Sequence, residues 1–225
     1  MNVKNRIAIV GGNSGIGEAL LRLIKDDHEV ICMSRSQERS VDVTEEEPKF
    51  PAIDGPLSGF AYCPGCINLR PIRTLTASAF RADMEINLIG AVKAIKHYLP
   101  NLKESESASI VLFSTVAVGT GMPFHASVAA AKGAVEGFAR SLAAELAPRI
   151  RVNAIAPSLT ETPMSKSLLR SEKQREALIG RHPLRRLGRP DDIAAVAAFL
   201  LSQESSWMTG QVLRPDGGLS NVRLH

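Results

Sequence analysis

The sequence predicts an α/β fold: a doubly wound parallel sheet of about seven strands with helices on both faces. Two observations predict it. Short β-branched runs alternate with longer helical patterns along the 225 residues, as strand–crossover–strand units do. The runs are continuously apolar, which marks strands buried on both faces. No internal repeat or linker interrupts the alternation, and a chain of this length supports one well-cored domain, here residues 1–225.

The strands are read in order as "IAIV" (7–10), "EVICM" (29–33), "GFAY" (59–62), "SIVLF" (109–113), "IRVNAI" (150–155) and "QVLRP" near 213, with a short one near Val41. Helices are expected over 15–26, 76–102, 128–147 and 191–202, the last capped by Asp191 or Asp192 after Pro190. The crossovers around the second and third strands are short. About seven residues separate "EVICM" from "SVDV", and about fifteen separate "SVDV" from "GFAY", against the dozen or more that a crossover usually takes. The first should lack a helix. The second should have a short one broken by Pro48 and Pro51, leaving that sheet edge thinly covered.

Composition excludes several classes. A net charge of +4 is too mild to imply nucleic acid. No apolar stretch approaches the ~20 residues of a membrane span, and "MNVKNRIAIVGG" has no long apolar run or small-residue cleavage site, so export is not expected. Three cysteines suit a reducing compartment and a cytoplasmic protein. No metal site is expected, since "CPGC" at 63–66 has no further pair of ligands evident. Two readings of that motif stand: small buried loop cysteines, or a dithiol placed after a strand.

"IAIVGGNSGIGEALLRLI" places a glycine-rich turn directly between a strand and a helix. Gly11 allows the tight turn, while Gly15 and Gly17 let a dinucleotide and the sheet approach. The helix N-terminus then offers free N–H groups and a positive dipole end to a pyrophosphate.

The spacing G-x-x-x-G-x-G resembles the short-chain dehydrogenase/reductase family, classical type, and the resemblance runs over nearly the whole chain. "GGNSGIG" resembles that family's glycine loop, with Val10 where a threonine is usual. "VDVT" resembles its adenine-contacting pair, here Asp42 and Val43; "MEINLIGAV" supplies its helix asparagine, Asn87. "IRVNAIAPSLTETPM" is similar to its Pro-Gly nicotinamide segment, with Ser158 replacing glycine. "PLRRLGRPDDIAAVAAFLLS" and "TGQVLRPDGG" match its C-terminal signature. The family's Asn-Asn-Ala-Gly is "YCPG" here, so Tyr62 and Cys63 stand at the asparagines and only Gly65 is kept. The resemblance implies a Rossmann-like fold and a cofactor held by Gly11, Asn13, Ser14, Gly15, Ile16, Gly17, Asp42, Val43, Cys63, Gly65, Lys132, Pro157, Ser158, Thr160 and Thr162.

Cofactor choice is read at the end of the second strand. An NAD enzyme usually carries an acidic residue there for the ribose 2′-hydroxyl. Ser34 occupies that place and Arg35 follows. A hydroxyl and a guanidinium suit a 2′-phosphate, which favours NADP(H); otherwise Arg35 is a solvated surface residue.

In the family a serine, a tyrosine and a lysine do the chemistry, with the asparagine supporting a water chain. Lys132 fits the lysine, and Thr115, preceded by Ser114, fits the serine. The tyrosine should stand four residues before the lysine, and that residue is Val128. Valine cannot move a proton. His125, one helical turn earlier, is one candidate substitute acid and Tyr62 another; the alternative for His125 is a helix-start or interface residue. The segment 159–189 corresponds to the family's substrate lid. From Lys166 to Arg189 it holds eight Lys/Arg against two Glu, suited to an acyl-carrier, CoA or phosphorylated substrate or to a solvated helix face.

Two functions from different classes follow: an NADP-dependent oxidoreductase acting on an alcohol/carbonyl pair, or a cofactor-binding protein serving as sensor or partner subunit. A non-redox reaction on the same fold is a third. Small residues along 129–137 favour close helix pairing and a homotetramer or dimer.

Overall fold

The computed structural model describes residues 5–35 and 39–223. The elements, in order, are β1 (Arg6–Val10), α1 (Gly15–Ile24), β2 (Glu29–Met33), β3 (Gly59–Tyr62), α2 (Ala77–Met84), α3 (Gly90–Glu104), β4 (Ala108–Phe113), α4 (Ala117–Thr120), α5 (Ala126–Leu146), β5 (Ile150–Ile155), α6 (Glu172–Gly180), α7 (Pro190–Leu201) and β6 (Val212–Leu213). The six strands form one sheet in the order β2-β1-β3-β4-β5-β6, parallel throughout. Strand order reverses between β1 and β3, so a crevice opens at their carboxyl ends, the usual ligand position in such sheets.

The period-2 alternation of side chains fills both faces. Ala8, Val10, Phe60, Tyr62, Ile110 and Leu112 join α3 and α5 in one core. Ile7, Ile9, Ala61, Val111 and Phe113 join α1 and α7 in the other.

Four expectations are corrected. The seventh strand near Val41 does not form; only an isolated bridge joins Ser34 to Ser40. The segment between β2 and β3 contains no helix among the described residues, not even the short one expected around Pro48 and Pro51. Its extended chain covers that edge directly, so the edge is not thinly covered. Val41, Val43 and Leu57 are buried, and Phe50 sets its ring edge-on to Tyr98 at 5.9 Å. Tyr98 Oη donates to Pro51 O at 2.8 Å, and Asn101 Nδ2 donates to the carbonyls of Ile53 and Gly55. The cap of α7 is Arg189, not Asp191 or Asp192; Asp192 sits inside the first turn and accepts the Arg189 N–H at 2.7 Å.

The fourth correction concerns the helix expected over 76–102. It is α2 and α3 joined by a π turn over Glu85–Ile89. The extra residue rotates Asn87 inward until it is 1% exposed; such turns recur at functional sites. Tyr62 braces the turn from below, its hydroxyl donating to Ile86 O at 2.7 Å.

Candidate functional site

The site lies at the β1/β3 crevice. Gly11 turns the chain at φ 80°, a conformation that costs glycine nothing. A Cβ on Gly17 would collide with the Gly11 carbonyl oxygen, so this position tolerates only glycine. Ser14 is the N-cap of α1, yet its side chain makes no capping bond. The first-turn N–H groups of α1 therefore remain available to an anion. The loop is also reached by the segment after β5: a Cβ on Gly15 would lie 3.3 Å from Thr162 Cγ2.

At the end of β2, Ser34 is 5% exposed and its hydroxyl has no partner. Arg35 is exposed beside it; Ser36, the last residue of the "ICMSRS" motif, lies outside the described residues. The Thr44 hydroxyl and N–H both donate to Asp42 Oδ1, at 2.7 and 3.0 Å. These bonds hold the carboxyl below its usual range against burial, with help from Arg35. Val43 turns its side chain into the core against Gly90.

Beyond β3, a Cβ on Gly65 would lie 3.0 Å from Asn87 Oδ1 and 3.4 Å from Lys132 Nζ. Two polar groups from distant helices thus converge on the space above one glycine. Lys132 is buried and donates to Phe113 O at 2.8 Å. Burial pulls its pKa down to about 8, opposed by the nearby thiols of Cys66 and Cys63. Asn87 Nδ2 donates to Asp83 O at 2.8 Å and approaches Cys66 Sγ at 3.4 Å. Both amide hydrogens point inward, so the buried Oδ1, which has no partner, faces the site.

Residues from elsewhere in the sequence support this arrangement. Asp83 is fully buried; the Cys66 thiol donates to its Oδ1 at 3.0 Å, and Asn68 Nδ2 donates to the same oxygen at 2.5 Å. Sequence reading misses this cluster, although Asp83 stands four residues before Asn87, on the same helical face. The thiols of Cys63 and Cys66 are both pushed up to about 12, chiefly by burial. All three cysteines are free thiols. Among the described residues no three His, Cys, Asp or Glu side chains gather as a metal site.

Ser114 and Thr115 part company. Ser114 Oγ is buried and donates to Glu136 Oε1 at 2.7 Å. Thr115 is half-buried, its hydroxyl accepting a long 3.4 Å bond from Ala117 N. Val128 is 4% exposed, one turn before Lys132 on α5. Beside it Ser127 is fully buried with an unpartnered hydroxyl. Tyr62 is 2% exposed and bound to the π turn; burial, then Glu85, raises its pKa. It is a brace, without the freedom a substitute acid needs.

His125 is the N-cap residue of α5. Its Nδ1 lies 2.8 Å from Pro123 O, an acceptor, so Nδ1 carries the proton. It lines an open cleft of about 570 Å³ between residues 70–72, α4 and the start of α5.

After β5, Pro157 O accepts the Val116 N–H at 3.1 Å. The Thr160 hydroxyl is turned inward, donating to Ser158 O at 3.0 Å. Ser158 Oγ lies 2.6 Å from His182 Nε2, and His182 Nδ1 lies 2.8 Å from Leu178 O in the last turn of α6. The carbonyl fixes the proton on Nδ1, so Ser158 donates to Nε2. His182, 2% exposed, thereby bolts the 159–189 segment to the residue after Pro157. No sequence signal separates this histidine from an ordinary loop residue. The basic residues of that segment are partly paired: Arg175 with Glu161, and Arg186 with Asp192 through two bonds.

Comparisons with known proteins agree with this geometry. A family model described as enoyl-(acyl carrier protein) reductase matches residues 13–220. The chain is 43% identical over 139 residues to 3-oxoacyl-[acyl-carrier-protein] reductase FabG of Thermotoga maritima, an alignment spanning 61% of this chain and 56% of that protein. It is 31% identical over 246 residues to 2-(S)-hydroxypropyl-CoM dehydrogenase 3 of Xanthobacter autotrophicus, with 96% of each covered. The fold superposes on a gluconate 5-dehydrogenase from Burkholderia cenocepacia, solved with NADP and tartrate, with a TM-score of 0.90, 25% identity and coverage of 97% and 96%. Glycine loop, inward asparagine, buried lysine and full-length likeness together place the chain in the short-chain dehydrogenase/reductase family.

Proposed function

We propose that this protein is an NADP(H)-dependent oxidoreductase that interconverts an alcohol and a carbonyl compound, with altered proton-transfer groups. Relatives in the family are NAD(P)-dependent oxidoreductases acting on alcohols and carbonyls. The observation that carries the reading is the convergence of Lys132 Nζ and the unpartnered Asn87 Oδ1 above Gly65, at the crevice where strand order reverses.

The residues present fit the cofactor. Gly17 keeps open a cradle that a Cβ would fill, and the Ser34 hydroxyl is buried without a partner. Gly11, Asn13, Ser14, Gly15, Ile16 and Gly17 would hold the pyrophosphate, and Ser34 with Arg35 the 2′-phosphate. Asp42 and Val43 would border the adenine. Cys63, Gly65, Pro157, Ser158, Thr160 and Thr162 would border the nicotinamide half. NADP(H), when bound, supplies or takes up the reducing equivalents. Lys132 would hold the nicotinamide ribose with the Nζ hydrogens that Phe113 O leaves free. Thr115 would donate its hydroxyl to the substrate carbonyl, Asn87 would hold a water beside Lys132, and His125, as an imidazolium whose Nδ1–H stays on Pro123 O, would deliver from Nε2 the proton that Val128 cannot.

The test is purified protein with NADPH and a panel of carbonyl compounds, followed by loss of nicotinamide absorbance. Turnover supports the reading. Tight NADPH binding without turnover supports the rival, a cofactor-binding sensor or partner subunit. The rival draws on Val128, an apolar side chain buried one turn from Lys132.

NADPH should bind more tightly than NADH, and Arg35→Ala should narrow the gap by roughly tenfold to a hundredfold, the range of a charge-assisted contact. Titration by cofactor fluorescence measures both, and equal wild-type affinities would overturn the preference.

The protein should also form a homotetramer, or at least a dimer, through α5 and the helix carrying Asn87. Ala130 and Gly137 of α5 are exposed, and a Cβ on Gly137 would meet nothing within 4 Å. Light scattering at micromolar concentration checks this; a 24.2 kDa particle would refute it.

A further inference from the structure

The cleft beside His125 is apolar except at two places. Ile72, Val118, Met122 and Phe124 wall it, and two of them stay largely uncovered: Ile72 is 69% exposed and Phe124 57%. Side chains of that size left open around a concavity mark a binding surface. The cleft is lined by His125, the proposed proton donor, and by Ala117 and Val118, two and three residues after Thr115.

The polar exceptions are His125 and Arg70. Arg70 is anchored at the rim by its backbone, whose N–H donates to Phe124 O at 3.0 Å. Phe124 itself is held at φ 69°, where a non-glycine residue carries strain. The strained turn thus holds the Arg70 backbone beside Phe124 at the cleft wall. Among the described residues the Arg70 guanidinium has no hydrogen bond or ion pair, as is true of Arg73 and Arg81; what sets Arg70 apart is its place in the cleft wall. An unpaired guanidinium at the edge of an apolar cleft is a fork for an oxyanion. Arg214, which likewise has no partner among the described residues, lies against Gly119 of α4, where a Cβ would come 2.9 Å from its Nη2.

We infer that the substrate is a carbonyl compound with an apolar body and a terminal oxyanion, and that Arg70 is the residue that selects the oxyanion. The inference rests on the oxidoreductase reading for the carbonyl end. For the other end it rests on Arg70 and the cleft walls alone. With its carbonyl at Thr115 and His125, such a substrate lays its apolar body along Val118, Met122 and Phe124 and brings its charge to Arg70.

The experiment uses the NADPH-loaded protein and a series of ω-1 oxo acids of increasing chain length, 7-oxooctanoate among them, each paired with its methyl ester. Binding is read by calorimetry and turnover in parallel. At least one oxo acid is expected to bind about tenfold or more tightly than its ester, with affinity falling as salt is raised. Arg70→Gln should bring acid and ester together, and Arg70→Lys should restore part of the preference. Equal binding of acids and esters, binding of neither, or a preference that survives Arg70→Gln would overturn the inference. Acid preference without turnover would uphold Arg70 and remove the oxidoreductase reading. Turnover of acids and esters alike would do the reverse.

Discussion

Replacing His125 with alanine is expected to lower carbonyl turnover by about 10²-fold or more while leaving NADPH affinity unchanged. A positioned general acid is worth about 10²–10⁴-fold, roughly 3–5 kcal/mol of barrier. His125 is placed for that work. Pro123 O holds its Nδ1–H, so its acid form is the imidazolium with the transferable proton on Nε2, and among the described residues Arg70 is the only other ionisable side chain lining its cleft. A lowered kcat with unchanged cofactor affinity is the signature of a group that acts in the transition state. Full activity in His125→Ala would remove it from the mechanism. The companion variant is Val128→Tyr. If the protein proves to bind NADPH without chemistry, this variant should restore weak reduction, since Lys132, Thr115 and Asn87 stand ready around it. Val128 is 4% exposed, so the larger ring would cost about 1–3 kcal/mol through overpacking. Circular dichroism and NADPH titration of both variants come first.

Stability is expected to fall as pH rises from about 8.5 to about 10.4. Three buried groups near the site set the sign. Lys132, pulled down to about 8, is neutral in the folded protein over that window but protonated when unfolded, at about 10.4. Alone it would make stability rise with pH. Cys63 and Cys66, pushed up to about 12, keep their protons when folded and lose them when unfolded, above about 8.5. Each makes stability fall. Two losses outweigh one gain. The buried Tyr62 and Tyr98, both raised by burial, steepen the decline above about pH 10. Urea unfolding across the window measures the slope. The Cys63→Ala/Cys66→Ala double variant should reverse its sign below about pH 10, because only the Lys132 contribution remains. A wild-type slope that rises with pH would contradict the arrangement.

The sheet was legible because burial on both faces writes itself into uninterrupted runs such as "IAIV" and "SIVLF". The glycine loop was legible because a close approach such as that of Gly17 to the Gly11 carbonyl tolerates one residue type. The seventh strand was misread since Val41 and Val43 are β-branched for a different reason: they fill the core beneath an extended segment that lacks a helix. The π turn leaves no mark in local propensity. "ADMEINLIGAV" is a sound helical pattern, and only tertiary contacts from Tyr62 and Gly90 make the extra residue favourable. Asp83 reads as one more polar helix residue until Cys66 and Asn68 are found against it. His182 likewise gains meaning only when β5 and α6 bring Ser158 and the Leu178 carbonyl to either side of its ring.

The brace beneath the π turn constrains how this chain can change. A Cβ on Gly90 would run into the Tyr62 hydroxyl and lie 3.0 Å from Val43 Cβ. Gly90 cannot acquire a side chain while Tyr62 is present. Conversely, shortening Tyr62 frees the Ile86 carbonyl and opens a void beside Gly90, which an alanine there would help to fill. The two positions are therefore coupled with a direction: Tyr62 must shrink first and Gly90 grow second, because the opposite order passes through a clash.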